Sequence, residues 1–398
     1  MLRNTKIALA LITIFGVASH APLHAAAFTP GNLVVFRVSD GTALLTSTGN
    51  AVFLDEYSVA LDGTALLVQS IPMPTAAADG DLQRQCITSG SATSEGLLTR
   101  SPDSAFLALT CYARNLLPVS ADALNAQAAV DVPRVVARVS SEGIVDTSTA
   151  LTDYANRNNP RSAVTDGTGI WAVGGTGGVR YATLGQTTST EVSTSITNIR
   201  QIDVVGGNLF VSHASAVVLG RLSQVGTGLP TTTGQVMTTV PGFPTASPLG
   251  VPSFYGFLFV DLDASIGGVD TAYLADDGAD NIQKWSLVAG TWTLTGSVNA
   301  ILAPAGPLTN PRGLTGRFIP GIGMALVTVA DSSAIVVGID QAGYNLAPQL
   351  ALQTAVVAGT NKAFRGLSPA PEAAVVPPFA FEDGFEDTVT VVSTRILW

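Results

Sequence analysis

The chain is poor in charge, lysine, histidine and cysteine, and each shortage closes off a class of function. Only 12% of its 398 residues are charged, against about a quarter in ordinary globular domains. Three lysines and no basic run leave nothing to track a phosphate backbone, which argues against a nucleic-acid partner. Glu/Lys/Leu heptads are missing, so a coiled coil is excluded. Disorder is excluded too, because 46% of the residues are hydrophobic and a disordered chain needs low hydrophobicity and high charge. The phosphate-binding Gly-x-x-x-x-Gly-Lys loop, the His-Glu-x-x-His zinc helix and the Gly-x-Ser-x-Gly elbow are all absent. The run Gly174 to Gly178 lies between β segments and opens no helix, so it reads as a hairpin.

What is present begins with an address. Arg3 and Lys6 precede an apolar run from Ile7 to Ala18, and Ala25-Ala26-Ala27 follows. That is the order of a secretory signal peptide, with cleavage expected ahead of Phe28. The apolar run is too short for a membrane-spanning helix, which needs about 20 residues. Cleavage would remove 27 residues, two positive charges and no negative ones, leaving 17 basic against 29 acidic residues and a net charge of −12. It would also leave His213 as the single histidine, so a Ser-His-Asp triad or a histidine-ligated metal is hard to build. Two cysteines, Cys86 and Cys111, lie 25 residues apart. In an exported chain an even count suggests a disulfide, worth about 3–4 kcal/mol on the chain-entropy model. The alternative is two buried thiols.

The body of the chain reads as all-β. Short runs rich in Val, Thr and Ile recur between Gly, Asp, Asn and Pro, as strands between turns do. Examples are Leu33 to Val38, Ala51 to Tyr57, Ala105 to Cys111 and Met324 to Ala330. Internal repetition arranges them. Asn159-Pro160-Arg161-Ser162-Ala163 matches Asn310-Pro311-Arg312-Gly313-Leu314. Phe364-Arg365-Gly366-Leu367 repeats its core, Asn198-Ile199-Arg200 is a looser copy, and Ser94-Glu95-Gly96-Leu97 places Glu where the others have Arg. Units starting near Glu95, Arg161, Arg200, Phe254 and Arg312 are separated by 66, 39, 54 and 58 residues, close to the 40–50 residues or so of a four-stranded propeller blade.

The last copy has almost nothing after it, and the first strands have no copy before them. The two deficits fit together as one blade, its inner strand from the C-terminal side and its outer three from the N-terminal side. The expected fold is therefore a six-bladed β-propeller with velcro closure, over residues 28–369. Seven blades is the alternative, because Pro230 to Pro252 carries no clear pattern. Residues 370–398 read as a Pro-rich linker and tail.

Ser101-Pro102-Asp103-Ser104 resembles the Ser-Pro-Asp-Gly hairpin of TolB-like propeller repeats. Phe28 to Val35, Ala51 to Tyr57 and Gln283-Lys284-Trp285-Ser286 give the chain a resemblance to uncharacterised secreted bacterial β-propeller proteins. Phe381 to Glu386 resembles a short Asp-Gly-Phe-Glu element at the C-termini of exported bacterial proteins. These resemblances imply a fold and a compartment (periplasmic, cell-surface or extracellular) and carry no catalytic residue.

Two candidate sites follow. Asp261, Asp263, Asp270, Asp276, Asp277 and Asp280 could supply oxygen ligands to a calcium-type cation, although Asp is also a common turn former. Arg161, Arg200, Arg312 and Arg365, with Glu95 in the corresponding place, are expected around one mouth of the central channel. There they either bind an anionic ligand or pair with aspartates such as Asp331 or Asp276 in neighbouring blades. Three functions are compatible with this. The first is a monomeric exported binding or scaffold propeller, whose partner is a small molecule or another surface or periplasmic protein. The second is a metal-dependent hydrolase or lactonase with carboxylates in the channel, and the third is a structural surface protein.

Overall fold

Alternation of side chains along each strand decides how this chain packs. In Leu33–Val38, the residues Val34, Phe36 and Val38 join one apolar cluster with Leu107, Leu109 and Val135. Leu33 and Val35 join another, with Val327, Val329 and Val337. A strand buried on both faces sits between two neighbouring sheets, and the period of two sends alternate residues to each.

The computed structural model describes residues 25–77, 83–116, 122–215, 220–243, 252–301, 306–373 and 395–396. These form a six-bladed β-propeller, numbered here from the blade that holds Leu33. Blade 5 shows the unit in its plainest form: Phe254–Val260, Thr271–Asp276, Asn281–Val288 and Thr291–Val298, each antiparallel to the next. Its turns fall where Asp277-Gly278 and Ala289-Gly290 place them. Blade 3 opens with Pro160–Thr165, blade 4 with Ile199–Val205 and blade 6 with Leu314–Ile319, and each continues through three more strands. The hairpin Gly174 to Gly178 joins Gly169–Gly174 to Val179–Thr183. Blade 2 has a short inner strand, Thr99–Arg100, before Phe106–Tyr112, Arg134–Ser140 and Val145–Leu151. Ser101 to Ser104 makes the turn between the first two, with the Ser104 amide donating to the Ser101 carbonyl at 2.8 Å.

Blade 1 is made from both ends of the ring. Ala363–Pro369 pairs antiparallel with Leu33–Val38, from Leu33 opposite Pro369 to Val38 opposite Ala363. Asn50–Ala60 and Ala65–Pro72 complete the sheet. The closure expected from the orphan repeat is therefore present, and the count is six. A two-residue strand, Ile87–Thr88, then pairs with both Asn50–Ala60 and Phe106–Tyr112, stitching blades 1 and 2 together. Cys86 adjoins this stitch and is bridged to Cys111 of blade 2, with the Cα atoms 5.1 Å apart. Beyond the closing strand, Ala370 and Glu372 are held by backbone bonds to Asn32 and Ser104, and Arg395–Ile396 pairs with Val59 and Ala60. The leader expectation falls on residues of which 1–24 lie outside the described ones, as do Phe381 to Glu386.

The inner strands approach one another very closely. The amides of Gly366, Leu97 and Gly256 donate to the carbonyls of Gly96, Arg161 and Arg312 at 2.9, 3.1 and 2.7 Å. Each of these bonds joins neighbouring blades. A Cβ on Gly366 would lie 2.3 Å from the Leu98 nitrogen and 2.5 Å from the Gly96 oxygen. The glycine of the repeat is thus a packing requirement of the ring.

Two outcomes follow. Gly366→Ala should destabilise by about 3 kcal/mol or more through overpacking, whereas Gly267→Ala, which meets nothing within 4 Å, should stay within about 0.5 kcal/mol; urea unfolding measures both. Replacing Cys86 and Cys111 by Ala should cost about 3–4 kcal/mol, and reduction of the wild type should give a comparable loss in the same assay.

Candidate functional site

The repeated Arg stands near the start of each inner strand, so equivalent positions bring the side chains to one face of the ring. Arg161, Arg200, Arg312 and Arg365 do gather there, with Glu95 among them. Each guanidinium group reaches sideways to an adjoining blade or connection. Arg161 of blade 3 donates to Asn198 Oδ1 and the Ile199 carbonyl of blade 4, at 2.7 and 2.9 Å. Arg200 of blade 4 donates to the Tyr255 hydroxyl of blade 5. Arg365 of blade 1 donates to the Gly90 carbonyl at 3.0 Å. Arg312 of blade 6 pairs with Asp277 of blade 5 at 3.1 Å and also donates to the Thr93 hydroxyl.

Tyr255 is the centre of this group. The Arg200 and Arg312 guanidinium carbons lie 4.3 and 4.8 Å from its ring centroid, a geometry that favours cations over an aromatic face. Glu95, buried, accepts from Thr88, Tyr112 and Asn159 side chains at 2.8, 2.6 and 2.9 Å, and from the Ser89 amide at 3.1 Å. Burial pushes its carboxyl above the usual range against the opposing pull of these bonds. Burial lowers Arg161 and Arg365 to about 10, and the neighbouring cations Arg200 and Arg312 add to the respective shifts. Both remain charged at neutral pH. The expected pairing of each Arg with an Asp of the next blade is found once, at Arg312. Among the described residues Arg161, Arg200 and Arg365 have no carboxylate within ion-pair distance, and the buried Nε of each lacks a hydrogen-bond partner. Asp331 instead accepts from Asn310, and Asp276 from Ser253, Gly278 and Gln283.

The six aspartates are not brought together. Asp270 adjoins one end of Thr271–Asp276 and Asp276 ends the other, about 20 Å away at the rise of a strand. Asp261, Asp263 and Asp270 lie towards the first end, and Asp276, Asp277 and Asp280 towards the second. Asp263, Asp270, Asp276 and Asp280 each accept hydrogen bonds from nearby turns, for instance Asp270 from the Leu262 and Asp263 amides at 3.0 and 2.7 Å. Among the described residues no three His, Cys, Asp or Glu side chains converge as a metal would require.

Sequence reasoning missed the opposite mouth of the axis. There a cavity of about 250 Å³ is lined by residues of five inner strands or their extensions, among them Arg100, Asp203, Thr315 and Ser368. Arg100 donates to the Ala370 carbonyl and to Glu372 at 3.1 and 3.4 Å. Burial pushes the Asp203 carboxyl up to about 7, although the Val204 amide and the Arg100 charge pull it down. Asp203, Thr315 and Ser368 each stand three residues after a repeated Arg. The available signal was that shared offset, with a polar side chain at each of the three positions.

No family model matches the chain, and no curated protein sequence does. Among solved structures, it is similar to a periplasmic gluconolactonase of Pseudomonas aeruginosa, at 15% identity and a TM-score of 0.40 over 81% of each chain. It is also similar to a putative 6-phosphogluconolactonase from Bacteroides uniformis, at 12% identity and a TM-score of 0.41 over 84% of this chain and 83% of that one. A third likeness is to a GH74 enzyme of Niastella koreensis, at 13% identity and a TM-score of 0.42 over 82% of this chain and 46% of the other. No site residue is transferred from them.

His213 lies outside both mouths, at the buried end of Asn208–His213. Burial lowers its imidazole to about 4, helped by the Arg221 charge. The unfolded chain takes up that proton near pH 6.5 and the folded chain does not, so stability falls as pH drops from about 6.5 to about 4. Asp203 acts in the opposite sense, since its folded value is raised, and stability falls as pH rises from about 4 to about 7. In urea unfolding, the stability of wild type relative to His213→Gln should therefore be about 2–3 kcal/mol lower at pH 4.5 than at pH 7. Asp203→Asn should shift the balance the other way.

Proposed function

We propose that this chain is an exported binding propeller without chemistry of its own, whose arginine-rich mouth takes a small anionic or carboxylate-bearing ligand. One observation carries the reading: of the four guanidinium groups that share a mouth, one is ion-paired among the described residues, Arg312 with Asp277, in a chain of formal net charge −10. Partly desolvated cations held at fixed positions attract anions more strongly than solvated ones. Export fits the N-terminal leader pattern and the bridged cysteines. It also fits the described residues in having no helix long and apolar enough to cross a membrane.

The test is calorimetric titration of phosphate, succinate, malate and citrate into the mature protein. At least one should bind saturably, more weakly at higher salt. Arg312→Ala, which leaves the three other arginines in place, should weaken it about tenfold, or about 1.4 kcal/mol. Absence of saturable binding, with Arg312→Ala altering only thermal stability, would make the arginines fasteners between blades.

A further inference from the structure

The second mouth is chemically unlike the first. Its cavity of about 250 Å³ has room for about eight waters at ~30 Å³ each, the size of a pentose or hexose. The lining mixes hydrogen-bonding groups with apolar walls, as small-molecule sites do. Asp203 and Gln201 come from blade 4, Arg100 from blade 2, Thr315 from blade 6 and Ser368 from the closing strand, with Leu258 of blade 5 among the apolar residues. No hydrogen bond within the protein engages the side-chain hydroxyls of Thr315 or Ser368 among the described residues. Ser368 is 2% exposed, so its hydroxyl has little besides the cavity to face.

Charge narrows the ligand. Arg100 opposes a cation, and it is already engaged by Glu372 and the Ala370 carbonyl. Asp203 opposes an anion whenever it is ionised. A neutral molecule satisfies both groups, and one rich in hydroxyls satisfies the remainder, because a hydroxyl both donates and accepts. We propose that this cavity is a second, independent binding site, for a neutral polyhydroxylated molecule of monosaccharide size, with Asp203 and Ser368 as its hydrogen-bonding anchors. The raised Asp203 value adds support: a carboxyl that keeps its proton near neutrality can donate to a ligand oxygen as well as accept from a hydroxyl. The charged groups around it are Arg100 and Glu372, with Arg317 in the adjoining groove.

The experiment uses the mature protein and ligand-observed NMR with D-glucose, D-xylose, myo-inositol and glycerol, each raised to about 50 mM, well above the millimolar range of weak binding. At least one sugar or cyclitol should bind saturably. Asp203→Ala and, separately, Ser368→Ala should raise its Kd about tenfold or more, the second serving if the first does not fold. Glu191→Gln, on an exposed outer strand, should leave Kd unchanged, and succinate should not compete. Three results would overturn the assignment: no saturable binding by the wild type, an unchanged Kd in both cavity variants, or displacement of the sugar by succinate. The last would place any binding at the arginine mouth instead.

Discussion

The backbone ladder between Leu33–Val38 and Ala363–Pro369 is the constraint on which the rest depends. It joins segments more than three hundred residues apart and turns a row of five blades into a ring. Once it forms, every inner strand has a neighbour on both sides. The backbone bond from Gly366 to Gly96 can then be made, and six apolar clusters lie between six pairs of adjoining sheets. No blade keeps an exposed inner edge, which is the physical benefit of closure.

With so few charges in the chain, the treatment of the buried ones is informative. Lys284 of blade 5 meets Asp340 of blade 6 at 2.9 Å, with the Ala342 and Gly343 carbonyls at the same distance, and Tyr273 donates to the same carboxylate. Arg37 and Asp55 pair within blade 1, at 2.5 Å. These groups are fully matched, as buried charges must be to persist. The arginine mouth departs from that pattern. Arg312 is ion-paired with Asp277, while Arg161, Arg200 and Arg365 are supported by carbonyls, an amide oxygen and a tyrosine, which satisfy hydrogen bonds without cancelling charge.

Much of the architecture was legible because turn chemistry and repetition are local. Asp277-Gly278 and Ala289-Gly290 marked the turns of blade 5, and the Arg-Gly-Leu copy at Arg365 pointed to its partner by having no blade of its own. Cys86 and Cys111 could be paired from compartment and count. The arginines were found because they recur. Their reach to neighbouring blades was one of the two readings, but the partners, a carbonyl, an amide or a tyrosine more often than an aspartate, were not legible. The aspartates misled for a physical reason: Asp accepts amide bonds in turns, and the strand they flank holds the two groups apart. Asp203 and Arg100 stayed hidden because the residues around them come from positions 98–104, 201–204, 257–258, 314–315 and 367–369, which only the closed ring makes neighbours.

The closing strand also sets an order in time. Five blades can assemble from contacts within about sixty residues of one another, but blade 1 needs a loop spanning nearly the whole chain, and long-range pairing of this kind is slow. Until Ala363–Pro369 arrives, Leu33–Val38 remains an open edge with apolar residues on both faces. The interval before closure is thus when this protein is most exposed to strand-to-strand aggregation. The bond from Cys86 to Cys111 joins residues 25 apart in sequence, so it does not have to wait for the ring to close.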